Sequence, residues 1–268
     1  MKNNCLVDIG VNLSDKRFNG DLEEVLKRAR DASVEKLVLT GTSEATSRDI
    51  IALCDEFDCA FPDMLYATAG IHPHYADKLG SDSLQKLECL AKHPKVVAIG
   101  ETGLDFNRNF SSPQNQIAAF EAQLELACQL GMPLFMHERD AAKPQLEILK
   151  TYRDNFTRGV IHCFTGDRNA LFAYLDLDLH IGITGWICDQ RRGLELQKLA
   201  ADIPLNRLMI ETDAPYLLPQ NMPSAPKDRR NEPAFLPWVL KGIATARNES
   251  TEILAQATSD TAKSFFGI

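Results

Sequence analysis

The sequence predicts an α/β protein built as a single (β/α)8 TIM barrel over residues 1–268. Three observations carry that prediction. Eight short apolar runs alternate with segments of helical spacing along the whole chain, and such alternation is the pattern of a parallel sheet covered by helices. The length of 268 residues accommodates eight such units, since closed barrels of this kind run to about 250 residues. No internal repeat, low-complexity tract or linker divides the chain.

The first run, Leu6–Leu13, carries Asp8 and Asn12 toward its end. Asp21–Ser33 follows as a helix with Leu22, Val25, Leu26 and Ala29 on one face. The second run is Lys36–Thr42, and the third, Tyr66–His72, ends in His72 with His74 just beyond. The fourth, Val96–Leu104, contains Glu101 and leads to Asp105. Pro113–Leu130 reads as a helix: Ser112 caps it, Pro113 takes the first position, and Gly131-Met132-Pro133 stops it. The fifth run, Pro133–Arg139, holds His137 and Arg139, and the sixth, Gly159–Phe164, holds His162. The seventh is His180–Trp186, followed by a helix over Asp189–Ile203. The eighth, Arg207–Asp213, ends in Glu211 and Asp213. Pro215 to Pro237 reads as a long loop, and Ser250–Phe266 as the last helix.

Composition bounds the function. Hydrophobic residues make up 44% and charged residues 25%, the balance of a soluble globule, which excludes a disordered chain. No run approaches the ~18 apolar residues of a membrane span. The N-terminus lacks the basic, apolar and small-residue order of a secretion signal, so a cytoplasmic address and no membrane partner are expected. The cysteines at 5, 54, 59, 89, 128, 163 and 188 form no CxxC pair, which points to reduced thiols. Lys plus Arg is 29, Asp plus Glu is 37, and the net charge is -8. That excludes a nonspecific nucleic-acid coat protein, which needs a basic face. A polyanion would have to be handled locally, and a bound divalent metal would serve.

Barrel chemistry sits where strands end at their C-termini. Of the six histidines, His72, His74, His137 and His162 fall at strand ends on that one rim. With Glu101 and Asp213 beside them, His137 and His162 offer the imidazole nitrogens and carboxylate oxygens that a borderline divalent ion accepts. Strand alternation supports this: Ile99, Glu101, Gly103 and Asp105 share a face, as do Phe135, His137 and Arg139, Val160, His162 and Phe164, and Met209, Glu211 and Asp213. Structural histidines and helix-capping carboxylates explain any one of these residues, but less readily all four together. His72-Pro73-His74 is not read as a metal pair, because Pro73 ends the strand; His72 is expected to position a phosphate or water, and His74 to be a loop residue. Cys163, next to His162, is expected to point outward into the helix layer. His93 and His180 lie on the opposite rim.

These residues occur in Gly70-Ile71-His72-Pro73-His74, Ala98-Ile99-Gly100-Glu101-Thr102-Gly103-Leu104-Asp105, Met136-His137 with Arg139, His162-Cys163-Phe164-Thr165-Gly166, Gly182-Ile183-Thr184-Gly185-Trp186 and Glu211-Thr212-Asp213-Ala214-Pro215-Tyr216. In order and spacing, nearly the whole chain resembles the TatD family of metal-dependent deoxyribonucleases within the amidohydrolase superfamily. The resemblance implies a divalent metal (magnesium first, manganese or zinc as alternatives) and hydrolysis of phosphodiester bonds, often 3′-to-5′ on single-stranded DNA or RNA ends. It implies that Glu101, His137 and His162 hold metal and that Asp213 contacts metal and water. One departure stands out. Most of the family begins Asp-x-His-x-His, whereas this chain reads Asp8-Ile9-Gly10-Val11-Asn12, which implies a weaker or single metal site.

The expected mechanism uses Glu101 and Asp213 at the reaction centre, Asp213 as general base. Arg139, Arg191 and Arg192 would balance phosphate charge, although the last two could equally be a solvated pair at a helix start. Glu211 would orient a ligand. Asp105, Asn107, Arg108 and Asn109 would contact substrate or only shape the helix entry. Two other readings remain: an esterase acting on aminoacyl-RNA, and a non-catalytic binding protein suggested by the missing histidines. Retention of Glu101, His137, His162 and Asp213 counts against the latter. No obligate protein partner is expected.

Overall fold

The computed structural model describes residues 5–268. Eight parallel strands form one sheet in chain order: β1 (Leu6–Val11), β2 (Val34–Leu39), β3 (Leu65–Ala69), β4 (Val96–Asp105), β5 (Leu134–Arg139), β6 (Gly159–Ile161), β7 (His180–Ile183) and β8 (Leu208–Ile210). The helices between and after them are α1 (Leu22–Asp31), α2 (Glu44–Phe57), α3 (Ser83–Ala91), α4 (Pro113–Leu130), α5 (Ala142–Tyr152), α6 (Arg168–Asp176), α7 (Leu194–Leu199), α8 (Leu236–Arg247) and α9 (Thr251–Phe266). The ring closes just beyond the last strand. Asp213 N donates to Gly10 O at 2.9 Å and Asn12 N donates to Ala214 O at 2.7 Å, which joins β1 to the segment after β8 at the C-terminal rim. No described helix is long and apolar enough to cross a membrane.

Two apolar clusters follow from strand alternation. Val7, Ile9, Val38, Phe135, Val160 and Met209 belong to the inner one, while their strand neighbours Leu6, Leu37, Leu39, Leu134, Met136, Ile161, Leu208 and Ile210 pack in the outer layer with the helices. Helix starts obey their sequence signals. Ser112 Oγ accepts from Asn115 N at 3.3 Å ahead of α4, and Gly131 ends α4 with φ 64. Ser250 caps α9.

Three sequence expectations are corrected. The helix over Asp189–Ile203 is shorter, because Asp189 Oδ1 accepts the backbone N–H groups of Arg191 and Arg192, both at 2.9 Å, and folds that stretch into a turn before α7. Ile99 does not share the Glu101 face: it packs in the outer cluster, and the β4–β5 register shifts between Ile99 and Thr102. Gly100, at φ 137, absorbs the break, and a side chain there would collide with the Phe135 backbone. Cys163 does not point into the helix layer. The sixth strand stops at Ile161, Cys163 takes φ 46, and its side chain lines the cavity described next.

Candidate metal centre

The C-terminal rim surrounds a cavity of about 730 Å³ lined by Glu101, His72, His74, His137, His162 and Asp213, among others. These side chains arrive from five strand ends, His72 and His74 both from the segment after β3. Glu101 follows the Gly100 break, and its backbone N is pinned to Gly41 O at 2.7 Å. His137 continues the inward face of Phe135 on β5. His162 stands one residue past β6, stacked on Phe135 with ring centroids 4.6 Å apart. Asp213 is not carried by strand alternation. It lies three residues past β8 with φ 54, and its backbone bond to Gly10 turns the carboxylate toward the mouth.

One oxygen organises the centre. Glu101 Oε1 lies 2.8 Å from His162 Nε2, 3.0 Å from His137 Nδ1 and 3.3 Å from His72 Nε2. Donor atoms of His72, Glu101 and His137 all fall within 4.8 Å of one another. His137 Nε2 is buried and makes no hydrogen bond; Asp105 Oδ2 stands 3.5 Å away. A buried ring nitrogen that makes no hydrogen bond, beside carboxylates and further imidazoles, is the donor chemistry a divalent cation satisfies. The residues therefore fit a metal ion.

The surrounding charges are set by burial and by each other. Burial alone would raise the Glu101 carboxyl, yet His72, His162 and His137 hold it well below the usual carboxylate range. Burial would lower His162, but the Glu101 and Glu211 carboxylates keep it well above the ordinary imidazole value. Burial pushes Asp213 up to about 7, with His162 opposing and Glu211 and Glu101 reinforcing the shift. His72 falls to about 4 because it is buried, Glu101 partly offsetting that.

Outer contacts hold these groups in place. Glu211 Oε2 lies 3.3 Å from His162 Nδ1, and its other oxygen accepts from Cys163 N. Asn12 Nδ2 donates to Asp213 Oδ1 at 3.0 Å. His74, expected only to shape a loop, pairs with Asp105 at 2.6 Å and lines the cavity. Arg139 donates to Thr165 Oγ1 at 2.8 Å and lies 5.6 Å from the Trp186 ring centre, while Arg192 lies 4.4 Å from the same ring. Both line the cavity, as does Arg108. Arg191 is exposed and is not among the lining residues. The aromatic residues Tyr75, Phe110, Trp186 and Tyr216 also line the mouth; Trp186 and Tyr216 end two of the sequence motifs without a role read for them, and Tyr75 and Phe110 carried no signal beyond lying in loops after strand ends.

The profile of TatD related DNases matches residues 7–267. The chain is 47% identical to the 3′-5′ ssDNA/RNA exonuclease TatD of Edwardsiella piscicida, over 97% of this chain and 99% of that protein. It is 48% identical to the protein of the same name from Rahnella sp. (strain Y9602), over 98% of each chain. Among solved structures, a TatD family hydrolase from Entamoeba histolytica superposes with a TM-score of 0.89 at 25% identity, covering 98% of both chains. A TatD homolog from Escherichia coli K12 gives a TM-score of 0.88 at 27% identity over 99% of both.

Proposed function

The chain belongs to the TatD-related DNase family, and from that premise we propose that it is a metal-dependent nuclease that hydrolyses phosphodiester bonds of single-stranded DNA or RNA from the 3′ end. The observation that carries this reading is the convergence of three imidazoles on Glu101 Oε1 at the barrel mouth, with Asp213 alongside. The substrate follows the activity for which the exonuclease relatives are named.

Glu101, His137 and His162 would hold the divalent ion, with Asp213 next to it. Bound there, a divalent ion would supply polarisation of a phosphoryl oxygen and acidification of a water. Magnesium is the first candidate; the imidazoles bind manganese and zinc more tightly, so a metal titration compares all three. Asp213 takes the proton that the attacking water loses. An ionised carboxylate at that position can accept the proton. Glu211 fixes the His162 ring from the far nitrogen.

His72 serves as a donor rather than a ligand. Its Nδ1 accepts from His74 N at 3.0 Å, so a neutral ring carries its proton on Nε2, the atom that faces Glu101. That N–H points at Glu101 Oε1 at 3.3 Å and would meet a phosphate oxygen or the water once Glu101 holds the ion. Arg139 and Arg192 flank Trp186 and supply cationic charge for the phosphate. Arg191, outside the lining, is left as a surface residue. A cytosolic setting accords with seven scattered cysteines that form no CxxC pair.

The test is an assay of 3′-labelled single strands, duplexes and aminoacyl-RNA, each with magnesium, manganese or chelator. Metal-dependent release of nucleotides from single strands supports the proposal. Metal-dependent release of amino acid without strand shortening replaces it with the deacylase reading.

A further inference from the structure

Four aromatic residues line the cavity mouth, and three of them have a cation against the ring. Arg192 and Arg139 lie 4.4 and 5.6 Å from the Trp186 ring centre, Arg17 lies 4.4 Å from Tyr216, and Lys78 lies 5.2 Å from Tyr75. Among the described residues, Phe110 is the cavity-lining aromatic that carries no such partner. It is also 63% exposed, the highest value of any large hydrophobic side chain described. A lone exposed ring is ordinary on a protein surface; Phe110 is set apart by lining the cavity of the candidate centre with its ring face free of a described cation.

The loop that presents Phe110 is tightly held. Asp105 Oδ1 accepts from Asn107 N at 3.0 Å and from Arg108 N at 2.9 Å. Asn107 Nδ2 donates to Asp140 Oδ2 at 2.6 Å, and Asn109 Nδ2 donates to Phe106 O at 2.7 Å. On the far side of the ring, Ser111 Oγ donates to His74 O at 3.1 Å. A run of ring contacts links Phe110 to the metal centre: His137 to His72 at 4.5 Å, His72 to His74 at 4.3 Å, and His74 edge-on to Phe110 at 4.8 Å and 89°. Phe110 is thus a fixed, uncharged aromatic surface beside the reaction centre, with Arg108 next to it in the cavity lining.

We propose that Phe110 is the stacking platform for an unpaired nucleobase next to the scissile phosphate. The inference rests on the nuclease reading and deepens it. A base inside a duplex has both faces covered by its neighbours, and a terminal base has one free face but is held in its pair, so an unpaired base reaches the ring most readily, which favours single-stranded ends. Stacking accepts every base, because each has a π face. The site therefore contributes binding without sequence preference.

The experiment uses the metal-loaded protein and two 3′-labelled single strands. One is unmodified, and the other lacks bases at its last two nucleotides. Wild type is expected to lose about 5- to 150-fold in kcat/KM on the base-free end, chiefly through KM. Phe110→Ala should show the same loss on the unmodified strand and little further loss on the base-free one, whereas Phe110→Tyr should behave as wild type. The idea is overturned if Phe110→Ala cleaves the unmodified strand within about twofold of wild type, or loses equally on both strands. A binding measurement stands apart from turnover: 2-aminopurine at the same positions, with phosphorothioate terminal linkages, should be quenched by wild type and Phe110→Tyr but not by Phe110→Ala. If wild type cleaves no strand with any metal, the nuclease reading fails, and unquenched 2-aminopurine on wild type rejects the base site independently.

Discussion

Glu211 occupies the space that a side chain at Gly10 would need. A Cβ built on Gly10 would collide with Glu211 Oε2 and approach Phe135 Cζ to 3.3 Å. The same Glu211 carboxylate braces His162 and the Cys163 backbone. The missing strand-one histidine and the buried glutamate are therefore two sides of one arrangement, in which a carboxylate from the β8 side fills what a β1 side chain would occupy.

Restoring histidine at position 10 should accordingly not create a second metal position. Gly10→His is expected to destabilise the protein by about 1–3 kcal/mol through overpacking and to gain no bound zinc. Gly10→Ala should also destabilise, and adding Glu211→Asp, which draws the carboxylate back, should recover part of that loss. Denaturant unfolding and elemental analysis read both results. A stable Gly10→His variant holding an extra zinc ion contradicts the account.

Asp213→Asn keeps the size of the side chain but removes the base. Turnover at saturating metal should fall by at least about 100-fold, with the fold unchanged by circular dichroism and metal still bound. Were Asp213 merely a turn residue at its φ of 54, asparagine would be well tolerated there, and turnover would stay near wild type.

Asp8 supplies a pH dependence of stability that lies beneath the site. Burial pushes its carboxyl up to about 8 from the ordinary 3.8, against hydrogen bonds from Thr212 and Gly10. The folded state thus holds the proton more tightly than the unfolded chain. The stabilisation from this group is complete below about 4 and is lost as pH rises toward 8. Asp8→Asn imitates the protonated form: its oxygen can accept from Thr212 N, and its amide can donate to Thr212 Oγ1, which now donates to Asp8 at 2.6 Å. The unfolding free energy of the wild type should fall between pH 5 and 9 by more than that of Asp8→Asn, a difference on the order of a few kcal/mol. Parallel curves for the two proteins would show that Asp8 does not titrate in this range.

Salt should weaken substrate binding only gently. The cations lining the cavity are Arg108, Arg139 and Arg192, on a chain of net charge -8. At about 0.7 per phosphate neutralised on a single strand, the slope of log K against log salt should be roughly -2. A slope steeper than about -5, measured by fluorescence anisotropy, would reveal a basic groove elsewhere.

The barrel and most of its rim were legible in the sequence. Alternation over 135–137 and 160–162 placed His137 and His162 inward, because each lies on or directly beyond a regular strand. Where the backbone leaves the strand, alternation failed. Glu101 reaches the mouth through the Gly100 break rather than through a face shared with Ile99, Cys163 turns into the cavity at φ 46, and Asp213 is aimed by a bond across the barrel seam. His74 was passed over because its partner Asp105 lies 31 residues away, a pairing that no local pattern encodes. Phe110 carried no signal beyond its loop, since an exposed ring and a buried one look alike in one dimension.

The central claim is that the Glu101 centre hydrolyses phosphodiesters with the aid of a bound divalent ion. The most direct measurement is release of nucleotides from a 3′-labelled single strand after exhaustive chelation, followed by re-addition of magnesium or manganese, in wild type and Glu101→Gln. The account predicts no release under chelation, recovery in wild type with either ion, and no recovery in Glu101→Gln. Full release by wild type in excess chelator would contradict it.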